Sequence, residues 1–459
     1  MIKDVFVINN QSQIKAISTE LKLQIVNELI KNSCTCQQLS IKFDESRQKV
    51  HYILKELNKI GLIKRVDLGA GKKEIFYRAK ASNYVIDFSL GKYKDDPANL
   101  HNRKLKNFIL KSNHNIDLSK IAHNFLENAL KMQAHEKILI VTGEYNMPFV
   151  KKLLLEAAKK QIATTLLYKD KEMLEAKHNE FSLETYSWEN ENFYKLLEEH
   201  DVYLYFNGES RNIPLTDPEK KLLLRKALTK NREIIRKKNI RIAVMRGLIN
   251  DNISEKNILS EVNFWKSLDI DYQKLANDTH SMINDFKNAL TIEVHNRHGS
   301  NFSFKIDKIF CECGSFTDFP DQTPIINIPG GEISIIPAKK SVQGTIIVSS
   351  GYIFGKEIKN LSLTISNNKI TKFHAEKNED LIKKAIDNGG TDGKDIALIS
   401  LGTNYNLGLS NIDPSYKNKS KDILTLFWGN NESLGGTIKG LVEWEILLEK
   451  PEIKKISNI

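Results

Sequence analysis

The sequence predicts an α/β multidomain protein, and three observations support this fold class. With 459 residues the chain is longer than one ordinary core, since domains typically contain about 150 residues. Strand and helix patterns alternate through residues 117–290, as in a parallel α/β sheet. Residues 291–459 are rich in strands separated by glycines, whereas residues 1–88 combine short helices with a hairpin. We therefore expect an N-terminal α+β domain (1–88), a linker or connecting helix (89–116), a parallel-sheet subdomain (117–290) and a strand-rich α+β subdomain (291–459).

The composition is that of a globular protein. Hydrophobic residues make up 41% and charged residues 27% of the chain, and no apolar run approaches the roughly 20 residues of a membrane helix. The start, MIKDVFVINNQSQ, does not resemble a secretory signal. Four cysteines form two C-x-C pairs, Cys34/Cys36 and Cys311/Cys313, too few for a disulfide framework. We expect a cytoplasmic protein with no membrane partner.

Positive charge is concentrated near the N-terminus. The formal net charge is +11, and residues 1–80 hold 15 lysines and arginines against eight acidic residues. Such a basic end is typical of a domain that binds a polyanion. A solvated, lysine-rich surface explains the charge equally well.

The first 88 residues predict three helices followed by a β-hairpin. A first helix begins near Thr19, a second lies in TCQQLSIKF, and a third lies in ESRQKVHYILKELNKIGLIKR. In the third helix an apolar stripe is formed by Val50, Ile53, Leu54, Leu57 and Ile60, and the opposite face is polar and basic. Two alternating strands then flank a basic turn that contains Lys72 and Lys73.

This order of elements resembles the ArsR-type winged-helix family over residues 15–85. The resemblance implies a recognition helix in the major groove of double-stranded DNA. It implies base contacts for Arg47, Gln48, His51 and Tyr52, and phosphate contacts for Lys55, Lys72 and Lys73. Winged helices also bind proteins, and each of these residues also fits an ordinary solvent-exposed position.

The Cys34/Cys36 pair lies where some ArsR-type repressors bind metal. In those sensors the second cysteine precedes the first core leucine of the helix by two residues, whereas Leu39 follows Cys36 by three. The difference rotates the pair by about 100° on a helix. We expect two buried or idle thiols, with metal sensing as the alternative. For Cys311 and Cys313 we also expect packed thiols.

Residues 115–455 resemble the thermophilic aminopeptidase family, of the aminopeptidase T and S type. The resemblance is strongest at Pro329-Gly330-Gly331-Glu332, where the glutamate implies a metal ligand. The other ligand positions fall on Leu398, Thr425, Glu443 and Glu445. A two-metal centre needs several anionic or imidazole ligands, so we expect the catalytic function to be lost. One divalent cation on Glu332, Glu443 and Glu445 is the alternative to no cofactor.

Together these features predict a DNA-binding transcriptional regulator and not an enzyme. The aminopeptidase-like domain, a pseudo-metallopeptidase without catalytic residues, would then serve for homodimerisation and for sensing a small molecule or peptide. Two alternatives stay open. One is an active metal-dependent peptidase with an appended regulatory head, and the other is a non-catalytic scaffold that binds peptides.

Overall fold

The structure is a computed structural model that forms two compact units. It describes residues 3–8, 11–17, 19–66, 75–86, 97–207, 215–248, 254–316, 325–408 and 414–456. The first unit comprises Met1–Asp117 with Asp251–Val262, and the second comprises Leu118–Asn250 with Asn263–Ile459.

Within the described ranges the first unit contains four helices before residue 60, one more than the three expected, and two small sheets. Strands β2, β4 and β3 pair in that order, and β1 pairs in parallel with β5. The elements are β1 Lys3–Ile8, α1 Gln11–Ala16, α2 Glu20–Lys31, β2 Cys34–Thr35, α3 Cys36–Lys42, α4 Arg47–Lys59, β3 Ile63–Val66, β4 Phe76–Ala79, β5 Ala81–Ile86 and α5 Pro97–His114. The turn between β3 and β4, with Lys72 and Lys73, lies outside the described residues.

Local sequence explains the start and the orientation of α4. The Ser46 hydroxyl accepts a hydrogen bond from the Lys49 amide, which caps the helix N-terminus. Val50, Ile53, Leu54 and Leu57 are buried in one core with Ile25 and Leu29 of α2. Burial of this stripe leaves the opposite face of α4 exposed to solvent.

The second unit contains a five-stranded parallel sheet in the order β13-β9-β8-β6-β7. Helix α6 continues into a π-helical turn, Phe125–Ala129, and α11 is divided between the two units. The elements up to the last helix before the antiparallel sheets are α6 Leu118–Asn124, β6 Lys137–Thr142, α7 Met147–Lys159, β7 Ala163–Tyr168, α8 Lys171–Glu180, α9 Leu183–Glu198, β8 Val202–Phe206, α10 Pro218–Lys238, β9 Arg241–Met245, α11 Glu255–Leu268 and α12 Tyr272–Lys287.

Two further sheets complete this unit. One has six strands in the order β17-β16-β15-β11-β10-β21, and the other has five in the order β12-β14-β18-β19-β20. Both contribute to one apolar core, in which Trp428 and Trp444 stack with ring centroids 4.1 Å apart. The elements are β10 Thr291–His295, β11 Asn301–Phe304, β12 Ile306–Glu312, β13 Ile325–Ile328, β14 Glu332–Pro337, β15 Gln343–Ile353, β16 Lys356–Ser366, β17 Lys369–His374, α13 Glu379–Asn388, β18 Ile396–Gly402, α14 Pro414–Lys417, β19 Ile423–Asn430, β20 Lys439–Glu449 and β21 Glu452–Ile456.

The predicted α/β multidomain fold class is confirmed, with a parallel sheet followed by strand-rich sheets. The four segment boundaries stay a prediction, as does the cytoplasmic location. Among the helices of the described ranges, none has the length and apolar character needed to cross a membrane.

Candidate functional site

The Pro329-Gly330-Gly331-Glu332 motif connects the parallel sheet to the five-stranded antiparallel sheet. Strand β13 is an edge strand of the parallel sheet, and the motif follows it directly after a cis Ile328–Pro329 peptide bond. A Cβ atom at Gly330 would lie 2.1 Å from the Gly314 Cα atom, and Gly331 has a φ of +109°. Only glycine fits this close approach and this backbone conformation. The motif therefore places Glu332 at the carboxyl edge of the parallel sheet, where α/β folds commonly bind ligands.

Glu332 lies in a buried cluster with a second glutamate and a lysine. The Lys419 ammonium donates to Glu312 Oε2 at 2.5 Å and lies 2.8 Å from Glu332 Oε1. Asn418 donates its side-chain amide to Glu332 Oε2 at 2.8 Å. The side chain of Lys419 is only 6% exposed. A buried charge needs a close partner of opposite sign, and here one ammonium group neutralises one of two carboxylates.

The excess of carboxylates affects the acidities in this cluster. Burial opposes ionisation of Glu312, but the Lys419 charge and the hydrogen bonds from Lys419 and Asn327 outweigh burial and lower its pKa. Burial raises the pKa of Glu332 to about 7. The positive charge of Lys419 lowers this pKa, whereas the negative charge of Glu312 raises it further. Burial and the nearby Glu332 also raise the pKa of Glu445 to about 7. The three carboxyl groups thus interact electrostatically on one side of the sheet.

A row of hydroxyl groups crosses the same face of this sheet. Paired residues of adjacent strands share a face, and Ser334 on β14 pairs with Ser400 on β18, which pairs with Thr425 on β19. The Ser400 and Thr425 hydroxyls are buried and have no hydrogen-bond partner within the described ranges. Glu445 on β20 has neither a hydrogen bond nor an ion pair to any residue that the structure describes. Buried polar groups usually have partners, so this face has unused capacity for a polar ligand.

The remaining ligand positions implied by the family resemblance also lie on β18 to β20. Leu398 pairs with Phe427, which pairs with Glu445. Glu443 is exposed, and its side chain lies near Gly429. The structure thus brings Glu332 and Glu445 into electrostatic interaction. A metal-binding role for Glu332, Glu443 and Glu445 stays a prediction.

The donor chemistry around Glu332 does not fit a divalent metal ion. The carboxylate oxygens of Glu332 interact with Lys419 and Asn418, and a divalent cation would lie beside the Lys419 ammonium. Leu398 offers no ligand atom, and Thr425 offers only a neutral hydroxyl. Charge repulsion and the weak donor set therefore disfavour the family-type metal centre at this cluster.

A second group of ligand-type side chains lies on the opposite face of β12. One ligand atom from each of His280, Cys311 and Cys313 lies within 4.8 Å of the others. The structure records Cys311 and Cys313 as a disulfide with Cα atoms 6.0 Å apart. These cysteines were expected to be packed thiols. Their pairing and their position beside His280 differ from that expectation, because the two sulfur atoms are joined and lie next to an imidazole.

The predicted DNA-contacting residues of α4 lie on its exposed face. Arg47, Gln48, His51, Tyr52 and Lys55 are all exposed, and Tyr52 reaches 71% exposure. The first three line a groove of about 440 Å³ next to β4. Near this groove, Cys36 donates its thiol to the Arg47 carbonyl oxygen at 3.4 Å. Burial raises the pKa of the Cys34 and Cys36 thiols, which keeps both protonated at neutral pH.

Sequence reasoning missed Glu312, Lys419 and His280. Glu312 and Lys419 are 107 residues apart in the chain, and His280 precedes the cysteines by about 30 residues without a recognised ligand spacing. The available signal was the C-E-C pattern on a strand. Alternation places its glutamate on one face and its cysteines on the other.

Comparison with known proteins bears on the second unit. Residues 262–407 match the family model described as "Thermophilic metalloprotease (M29)", whereas the search of curated proteins gave no match. Among solved structures, the chain is similar to wild-type AmpT from Thermus thermophilus, with a TM-score of 0.56 and 14% identity, over 74% of this chain and 95% of AmpT. Reduced HlyU from Vibrio cholerae gives a TM-score of 0.14 at 24% identity, over 16% of this chain and 72% of HlyU. This second likeness is too weak to support an argument.

The comparison contradicts the expectation that this protein is not an enzyme. That expectation came from the non-ligating residues Leu398 and Thr425, but residues 262–407 match a metallopeptidase family and the chain shares the fold of AmpT. The structure also brings together His280, Cys311 and Cys313 as candidate metal ligands, which the sequence analysis did not consider together. The family match does not reach the N-terminal segment, so the ArsR-type resemblance stays a prediction. Residues 262–407 thus match an M29 metallopeptidase family model, and the chain has the fold of AmpT over 74% of its length.

Proposed function

We propose that the second unit hydrolyses peptide bonds and that the N-terminal unit is its DNA-binding regulatory head. The match of residues 262–407 to the M29 family and the shared fold with AmpT support the first part. The observation that carries it is the buried polar face of the β12-β14-β18-β19-β20 sheet. This face combines a fixed Glu332–Lys419 ion pair, two hydroxyls without a hydrogen-bond partner among the described residues, and the carboxylate of Glu445.

We assign each group a distinct role. Lys419 binds Glu312 and Glu332, so it fixes the position of the Glu332 carboxylate beside this face. The Ser400 and Thr425 hydroxyls are buried and have no hydrogen-bond partner within the described ranges, so they retain hydrogen-bonding capacity on the face that carries Glu445. Glu445 has no hydrogen bond or ion pair within the described ranges, which leaves it available to accept a proton from an attacking water. These roles use only side chains of this chain.

The direct test is hydrolysis of a short unblocked peptide by the full-length protein. The release of new amino groups measures the reaction. Glu445→Gln keeps the shape of the side chain and removes its basicity. We expect it to lower kcat by at least about 100-fold, within the range attributed to general acid–base catalysis. Glu452→Gln, at an exposed position on β21, is the matched control and is expected to retain full activity.

Two results would oppose this assignment. One is an absence of hydrolysis in the wild type, with and without added divalent metal. The other is an equal loss in Glu445→Gln and Glu452→Gln, which would place Glu445 outside the chemistry. Peptide binding without turnover would favour the scaffold alternative.

A second function, DNA binding by the first unit, is favoured by the exposed face of α4. Five polar or basic side chains project from it, and the cap at Ser46 fixes the end of the helix that carries Arg47 and Gln48. An exposed tyrosine beside glutamine and histidine suits contacts to base edges, and Lys55 suits a phosphate. Lys72 and Lys73, outside the described residues, remain proposed phosphate contacts.

This function is tested by binding of the full-length chain to duplex DNA from its own promoter region across a salt series. The variant Gln48→Ala/His51→Ala/Tyr52→Ala is compared with Leu23→Ala/Gln24→Ala/Asn27→Ala, which changes exposed positions of α2. We expect selective, salt-sensitive binding that only the α4 variant loses. Equal binding by both variants would assign α4 a different partner. Homodimerisation and sensing of a peptide or small molecule remain part of the proposal, and sedimentation with and without DNA measures the oligomeric state.

A further inference from the structure

His280, Cys311 and Cys313 cluster on the face of β12 opposite Glu312. We infer that these three residues form a zinc site in the reduced protein, and that the disulfide is the metal-free, oxidised state of this site. The inference depends on neither peptide hydrolysis nor DNA binding.

The first argument is geometric. Zinc binds thiolates at about 2.3 Å and imidazole at about 2.1 Å in a tetrahedral arrangement. Ligand atoms of such a site are then about 3.5 to 3.8 Å apart. The three candidate atoms already lie within 4.8 Å of one another, so modest side-chain rotation suffices once the sulfur–sulfur bond is reduced.

The second argument is the placement of the ligands on rigid elements. His280 is on α12, which packs against β12 and β14. Cys311 is on β12, and Cys313 follows the end of that strand. Both cysteines are buried in the apolar core, with 8% and 4% exposure. A metal here would connect the helix to the strand, as structural zinc sites do.

The third argument is the choice of metal. Two sulfurs and one imidazole form a soft donor set that selects zinc over magnesium or calcium. A water molecule or a protein oxygen would complete the four-coordinate shell. Ser315 follows Cys313 by two residues, and its buried hydroxyl has no hydrogen-bond partner within the described ranges.

The redox chemistry balances with simple reagents. A phosphine reductant and one water molecule convert the disulfide into two thiols, and the phosphine becomes its oxide. Zinc binding then releases the two thiol protons. Hydrogen peroxide reverses the process, because it takes two electrons from the thiolates and, with two protons, becomes two water molecules while the disulfide forms and the metal leaves.

The site has a structural consequence for the opposite face of the sheet. Glu312 lies between the two cysteines and points to the other side, where it binds Lys419. Metal binding behind β12 would therefore hold the strand that positions the Glu312–Lys419 pair.

The test is titration of the reduced, full-length protein with Co²⁺, a spectroscopic substitute for zinc. We expect one equivalent to produce thiolate-to-cobalt absorption in the near ultraviolet and visible bands of tetrahedral intensity. Cys311→Ser and Cys313→Ser should each reduce the charge-transfer absorption and weaken binding, the double variant Cys311→Ser/Cys313→Ser should lose the absorption and weaken binding by at least about 100-fold, and His280→Ala should weaken it by at least about tenfold. The matched control is Cys34→Ser/Cys36→Ser, which removes the other C-x-C pair and should bind normally.

Circular dichroism establishes whether each variant folds. If the serine variants do not fold, oxidised and reduced wild type give the same comparison within one sequence: only the reduced form should bind cobalt, and peroxide should release it. The inference is overturned if the reduced wild type gives no sulfur–cobalt absorption, or if that absorption disappears in the Cys34/Cys36 variant and persists in Cys311→Ser/Cys313→Ser.

Discussion

Replacement of Lys419 by methionine tests the electrostatics of the buried cluster most sharply. Methionine preserves much of the side-chain volume and removes the ammonium group that binds Glu312 and Glu332. The side chains of Lys419, Glu332 and Glu312 are only 6%, 10% and 19% exposed, so water replaces little of the lost interaction. Removal of one partner from a buried ion pair typically costs about 3 to 5 kcal/mol. We expect a loss of that size in the free energy of unfolding at pH 8.

The loss should be smaller at pH 5. The folded-state pKa of Glu332 is raised to about 7 from an ordinary value of 4.5. A raised carboxyl pKa means that the folded state favours the protonated form. Stability from this group is therefore present at low pH and is lost as pH rises from about 4.5 through 7. A neutral Glu332 needs no counter-charge, so the Lys419→Met variant should recover part of its stability on acidification.

Urea unfolding followed by tryptophan fluorescence measures this effect, because Trp428 and Trp444 lie in the core of the same unit. The chain has two compact units, so the transition that reports these tryptophans is fitted by itself. Lys421→Met, at an exposed lysine two residues away, is the matched control and should change stability by less than about 0.5 kcal/mol. Equal effects of the two substitutions, or a loss at pH 5 as large as at pH 8, would refute the proposed balance of charges.

Three other predictions follow from the same structure. Glu445→Gln should raise the midpoint of thermal unfolding at pH 8 and leave it nearly unchanged at pH 5. The reason is that burial raises the pKa of Glu445 to about 7 and penalises its ionised form by at most about 3 kcal/mol. A lower midpoint at pH 8 would contradict this prediction. Gly330→Ala should destabilise the second unit by at least about 2 kcal/mol, since the new Cβ would lie 2.1 Å from Gly314 Cα. Gly351→Ala is the control in the same urea assay, because among the described residues its Cβ would come no closer than 3.9 Å to another atom, Ile446 Cδ1. Thr35→Ala should lower the stability of the first unit by about 1 kcal/mol, because Thr35 and Gln38 form a capping box at the start of α3; an unchanged unfolding midpoint would show that the cap contributes nothing.

Features encoded by local sequence were predictable. The apolar stripe of α4 is periodic within 13 residues, so its buried residues Val50, Ile53, Leu54 and Leu57 could be identified before the structure. The Pro329-Gly330-Gly331-Glu332 motif was recognisable through its family resemblance alone, and the close approach of Gly330 to Gly314 became visible only in the structure.

The partners of Glu332 could not be predicted in this way. Lys419 is one lysine in a lysine-rich chain, and only the pairing of β12, β14 and β18 brings its loop to Glu312 and Glu332. His280 likewise meets the cysteines because α12 packs on β12. Long-range packing determines both clusters, and the spacing of residues in the sequence contains no direct signal of it. Leu398 and Thr425 occupy ligand positions of the family, and these two residues led to the wrong expectation that the protein is not an enzyme.

The proposal that the second unit is a peptide hydrolase is tested most directly by mass spectrometry of a mixture of unblocked peptides after incubation with the reduced, full-length protein. The account predicts new, shorter peptides that accumulate with time in the wild type and are absent with Glu445→Gln. Peptides that remain intact in the wild type under all metal conditions, or products that form equally with Glu445→Gln, would contradict it.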